Sequence, residues 1–103
     1  MSNEEIKVIV CKEALQLCQE KQNQFVPAIY NSVIAQLNWL VDFFEGKSEE
    51  RNKLKDLTFG HYAVRELDPR EIELVEALNK AFYVATRTKE GLKIDKALLG
   101  FGS

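Results

Sequence analysis

The sequence predicts an all-α protein: a single compact bundle of four principal helical segments spanning residues 1–103. Three observations lead there. Two long stretches repeat apolar residues every three or four positions, the spacing that lines one face of a helix. No stretch sustains the apolar–polar alternation of a half-buried strand. Helix start and stop signals, Ser2 with Glu5, Asp68-Pro69, Gly46 and Gly91, fall where those stretches begin and end.

Ser2 and Glu5 form a capping box, each side chain answering the other's free backbone N–H. The apolar residues Ile6, Val8, Ile9, Val10, Cys11, Ala14, Leu15, Leu17 and Cys18 that follow predict a well-buried helix over residues 3–22, ended by the polar run Gln19–Gln24. A second helix is expected from Pro27 to Glu45. Its stripe Val26, Tyr30, Val33, Leu37, Leu40, Phe44 packs against neighbouring helices, and Gly46 supplies the left-handed residue at its end. Ser48 starts a short third helix reaching Leu57, with Leu54 and Leu57 inward; Thr58-Phe59-Gly60 interrupts it, and a further helical piece covers His61–Leu67. Asp68 is a favourable N-cap, Pro69 fits the first helical position, and Glu71 completes a capping box. Ile72, Val75, Leu78, Phe82 and Ala85 then predict a long helix to Thr88, stopped by Gly91. The predicted core comprises Ile29, Val33, Leu37, Leu40, Ile72, Val75, Leu78 and Phe82, while the tail from Lys93 to Ser103 has no clear period.

Composition narrows the function classes. With 46% hydrophobic and 29% charged residues, one core suffices without metal or disulfide support. A formal net charge of −2 argues against nucleic-acid binding, which calls for a dense basic face. The charge is uneven: residues 1–50 carry four Lys against eight Asp and Glu, and residues 51–103 carry ten Lys and Arg against eight. No apolar run approaches the roughly 18 residues of a membrane span, and the acidic start is unlike a secretory signal; a cytoplasmic protein is expected. Cys11 and Cys18 lie seven residues apart on one helix, about 10 Å along its axis. That is beyond disulfide reach, so both are expected to be reduced core residues.

Catalytic apparatus is not apparent. His61 is the one histidine, no cysteine lies near it in sequence, and no metal-ligand spacing is present. No glycine-rich loop offers a phosphate cradle. The carboxylates Glu66, Asp68, Glu71 and Glu73 cluster in sequence. Acid–base work would require two of them in one cleft, whereas helix capping already accounts for Asp68 and Glu71. Neither a cofactor nor a metal is expected. Tyr83, Thr86, Arg87, Thr88, Lys93 and Asp95 surround the end of the last helix. Arg87 either lies over the bundle and pairs with a carboxylate or joins Tyr83 in a recognition surface.

The strip from Leu57 to Asp95 resembles the C-terminal half of a family of small helical immunity proteins. Those proteins protect bacteria from type VI secretion toxins that hydrolyse NAD(P)+. The resemblance lies in Leu57-Thr58-x-Gly60, Ala63-Val64-x-Glu66-x-Asp68, Ala77-Leu78, Tyr83-Val84, Ala85-Thr86-Arg87-Thr88 and Gly91-Leu92-Lys93-Ile94-Asp95; the N-terminal half is similar in pattern, and the tail beyond Asp95 is longer than the family's. The resemblance implies a non-enzymatic inhibitor that binds a cognate toxin and obstructs its active site. Glu66, Asp68 and Glu73 would meet a positively charged cleft, with Tyr62, Tyr83 and Arg87 as buried contacts. The alternative is a small helical enzyme or ligand-binding bundle using His61 and nearby carboxylates.

Overall fold

The first helix fixes the arrangement, because its two flanks bury against two different partners. The computed structural model describes the backbone of residues 2–22, 28–60 and 70–101, and the side chains of residues 2–20, 31–60 and 70–101. Its elements are α1 (Asn3–Gln22), α2 (Ala28–Phe44), a 3-10 helix (Arg51–Asp56) and α3 (Ile72–Lys89). Helix α1 packs against both α2 and α3, and the 3-10 helix packs against α3. The molecule measures 34 × 32 × 19 Å, about two helix diameters thick. No strand occurs among the described residues.

The chain begins as its capping box dictates. Glu5 N–H donates to Ser2 Oγ at 3.2 Å, and Ser2 N–H donates to Glu5 Oε1 at 3.4 Å. The Ser2 contacts hold the Glu5 carboxyl below its usual range. Along α1, Ile6, Val10, Cys11, Ala14 and Cys18 are buried. Ile9 departs from the expected broad buried face at 37% exposure, because at the helical repeat it falls outside the arc of Ile6, Val10, Cys11, Ala14 and Cys18. The N-terminal turns of α1 meet the C-terminal end of α2: Lys12 Nζ lies 3.0 Å from Glu45, and Lys7 Nζ stands 5.5 Å over the Phe44 ring.

Helix α2 carries the expected stripe. Val33, Leu37, Leu40 and Phe44 are buried; Val26, Ile29 and Tyr30 fall outside the described side chains. Gly46, at φ 84°, closes the helix, with Gly46 N–H donating to Phe43 O and Lys47 N–H to Asp42 O. That pair of bonds satisfies carbonyls the helix leaves open.

The third segment corrects the expectation of an α-helix from Ser48. It is a six-residue 3-10 helix in which Glu50 holds the cap position without a side-chain bond. Ser48 Oγ accepts from Glu50 N–H at 3.4 Å within the preceding turn. Leu54 is buried and Leu57 half-buried, as their inward positions require. The expected interruption at Thr58-Phe59-Gly60 narrows to Leu57 and Thr58, since Phe59 and Gly60 are already helical. Gln36 on α2 serves this start, its Oε1 accepting from Thr58 N–H at 2.9 Å and Phe59 N–H at 3.0 Å. A side chain from another helix thus satisfies the donors that a local cap would serve. The short helix expected over His61–Leu67 lies outside the described residues.

Helix α3 brings two further corrections. It begins at Ile72, with Glu71 at the cap position and no side-chain cap bond, three residues later than the Asp68-Pro69 signal suggests; Asp68 and Pro69 lie outside the described residues. Its buried line is Leu74, Ala77, Leu78, Ala81, Val84, Ala85 and Thr88, rather than the line through Ile72, Val75 and Phe82. Ile72 is 64% exposed, and Val75 and Phe82 are half-buried against the core edge. The buried line combines Leu74, Leu78 and Val84 with the small residues Ala77, Ala81 and Ala85, and the buried face of α1 also carries small residues, Cys11, Ala14 and Cys18. Small side chains let packed helices approach closely.

Both thiols are free and fully buried. Burial raises each from an ordinary 9.0 to about 12. The neutral thiol is the form the fold favours, so this stabilisation is complete below about pH 9 and is lost as pH rises towards 12. The native protein should leave both thiols unlabelled by a thiol reagent at pH 8, and urea should release two reactive groups. Rapid labelling of the folded chain would contradict that burial.

Candidate interaction surface

The end of α3 shows what Tyr83 and Arg87 do. Gly91, at φ 72°, stops the helix: Leu92 N–H donates to Arg87 O and Gly91 N–H to Thr88 O. The chain then turns back along α3. Arg87 Nε donates to Lys93 O at 2.8 Å, and Asp95 N–H donates to the Tyr83 hydroxyl at 2.9 Å. The Arg87 guanidinium carbon sits 5.8 Å from the Tyr83 ring centroid, within cation–π range. The two residues expected as partner contacts are therefore adjacent and half-exposed, and they clasp the tail. Of the two readings of Arg87, the carboxylate pairing is replaced by a bond to a backbone carbonyl, Lys93 O.

The tail beyond Asp95 is an ordered turn in spite of its lack of period. Asp95 Oδ1 accepts from Ala97 N–H at 3.0 Å, as an N-cap does. Phe101 N–H donates to Lys96 O around Gly100, which sits at φ 85°. Ile94 and Leu99 are buried in the core, while Leu98 remains 66% exposed. Arg51 also serves this end, donating from its guanidinium to Thr88 O, where a cation suits the helix dipole.

Glu73 stands apart from this clasp. It is exposed in the first turn of α3, where a carboxylate is favoured by the dipole. It lies ten residues before Tyr83, about 15 Å along the axis. Tyr62, Glu66 and Asp68, and with them His61, fall outside the described residues. Among the described residues no three His, Cys, Asp or Glu side chains gather as metal ligands, and no described helix is long and apolar enough to cross a membrane.

One surface escaped the sequence expectations. Beside α1, Val8, Ile9 and Phe44 floor an open groove of about 550 Å³, with Glu4, Glu5, Glu45 and Lys47 at its edge. Glu45 is bracketed by Lys12 and Lys47 at 3.0 and 3.2 Å. Those side-chain bonds, Lys12 first, hold its carboxyl below the usual range. The available signal was angular: Ile9 lies off the line through Ile6, Val10 and Ala14.

The model of the Tsi6 family matches residues 7–87. The chain belongs to the Tsi6 family. The match bears out the resemblance to immunity proteins drawn from Leu57–Asp95, and it takes in Ile9, Glu73, Tyr83 and Arg87 while ending before the tail. The Immune protein Tsi6 of Pseudomonas aeruginosa (strain PAO1) is 42% identical over 60 residues, which is 58% of this chain and 64% of that relative. The aligned part thus spans just under two thirds of the Tsi6 relative's length. No solved structure matches the chain.

Proposed function

We propose that this protein is an immunity protein that works by binding. Its partner is a cognate secreted toxin acting in the cytoplasm, an effector that hydrolyses NAD(P)+, and it stops that toxin by obstructing the active site. Membership of the Tsi6 family carries the proposal, supported by the relative whose name is Immune protein Tsi6. A blocker needs no chemistry of its own; it needs a rigid scaffold and a complementary surface. A cleft that holds an anionic dinucleotide presents donors and positive charge. Glu66, Asp68 and Glu73 are the carboxylates proposed to meet it, beside Tyr62. Tyr83 and Arg87 contribute whatever ring and guanidinium surface the tail leaves uncovered.

The test is co-expression with the product of the adjacent gene, and then titration against it. Saturating immunity protein should abolish NAD+ loss at one-to-one stoichiometry. Glu73→Lys should weaken binding by tenfold or so, about 1.4 kcal/mol, in a chain that still melts cooperatively with its midpoint lowered only by the lost dipole contact, about 0.3–1 kcal/mol. Full toxin activity in a saturated complex would defeat the blocking mechanism. Turnover of NAD+ by the isolated protein that disappears in His61→Ala would replace the proposal with the enzymatic alternative.

A further inference from the structure

We propose that the groove beside Ile9 is a docking surface for a cationic side chain, Lys or Arg, of the cognate toxin. The inference rests on the immunity reading and deepens it, because it adds a contact at the opposite end of α1 from Glu73. The groove has two chemistries in one cleft. Its floor of Val8, Ile9 and Phe44 is apolar, and the carboxylates Glu4, Glu5 and Glu45 stand along its edge. A Lys or Arg suits both at once, burying its methylene stem on the floor and leaving its charged head with the carboxylates. A purely apolar side chain would add no cation for Glu5, which contacts Ser2, whereas Glu4 and Glu45 already hold lysines.

The surrounding charges favour a cation. Lys7 is already committed: it is buried, with its Nζ 3.0 Å from Glu4. Lys12 and Lys47 both turn onto Glu45, leaving Glu5 to face the groove with only its own cap contacts to Ser2. Further along the same two helices, the exposed acids Glu13, Glu20 and Asp42 extend the negative surface. Six of the eight acids of residues 1–50, Glu4, Glu5, Glu13, Glu20, Asp42 and Glu45, lie on α1 or at the end of α2.

The experiment is calorimetry with the intact toxin, run with a melting curve for each variant. Ile9→Arg places a like charge on the groove floor at a position already 37% exposed. It should melt normally and weaken binding at least tenfold. Glu13→Lys, an exposed acid one turn further along α1, should also melt normally and weaken binding, and it should flatten the salt dependence of the parent's affinity. Both variants folding normally and binding as tightly as the parent would overturn the groove while leaving the immunity reading intact. A parent that fails to bind the toxin at all would overturn both. A parent that runs as a dimer, and becomes monomeric on Ile9→Arg, would show that the groove accepts a second copy of this chain instead.

Discussion

Replacing Phe59 with alanine is expected to destabilise the protein by about 3–5 kcal/mol, the range for truncating a buried aromatic residue. Phe59 is fully buried and is the largest of the fully buried side chains. Its ring meets Phe82 edge-on, with centroids 5.3 Å apart at 87°, an arrangement that contributes beyond its buried area. Its backbone is held as firmly, since Gln36 accepts from both Thr58 and Phe59 N–H groups. The cavity could not easily refill. Next to it, a Cβ on Gly60 would stand 2.1 Å from Phe82 Cγ, so that ring is already against backbone. Urea denaturation should show a lower midpoint at an unchanged slope. Phe59→Leu should lose markedly less, and a Phe59→Ala midpoint equal to the parent's would place the ring outside the core.

How much of this was legible in the sequence depends on how local each signal was. The Ser2–Glu5 box and the stops at Gly46 and Gly91 act within a few residues, and each is found where it was expected. The stripe on α2 is also locally complete, and Val33, Leu37 and Leu40 are buried along it. Signals that depend on a partner helix were harder to read. Gln36 is an unremarkable polar residue in α2, and only the fold reveals that it caps Thr58 and Phe59. The tail lacks periodicity because a single turn is too short to show any, yet its Asp95 cap and Gly100 stop are ordinary local signals.

The interaction surface was legible by residue type and less so by role. Tyr and Arg were marked as interface anchors, which they often are. Here Tyr83 and Arg87 also reach Asp95 N–H and Lys93 O, bonds that need a folded-back tail no periodicity announces. Ile9 was assigned to a buried face because apolar residues crowd α1 on many sides. A helix between two partners buries two flanks and leaves its outward line open, and which apolar residue falls on that line depends on where the partners sit.

Helix α3 gives the sharpest contrast between pattern and packing, and a matched pair of substitutions measures it. Leu37 and Ile72 are equally apolar, and both belong to a stripe with helical spacing. The structure separates them: Leu37 is fully buried and Ile72 is 64% exposed. Leu37→Ala should therefore cost about 2–5 kcal/mol, transfer and cavity terms together. Ile72→Ala should stay within about 0.5 kcal/mol of the parent, since it leaves no cavity and alanine is the better helix former. The cause lies in which face of α3 packs. Leu74, Ala77, Leu78, Ala81, Val84 and Ala85 form its buried face. Turning α3 to bury Ile72 would expose Leu74 and Val84, both now buried. Thermal melts of the two variants, made side by side, read the rotation of α3 directly. If Ile72→Ala lost as much as Leu37→Ala, the larger residues would be the packed ones and the alanine line would face solvent.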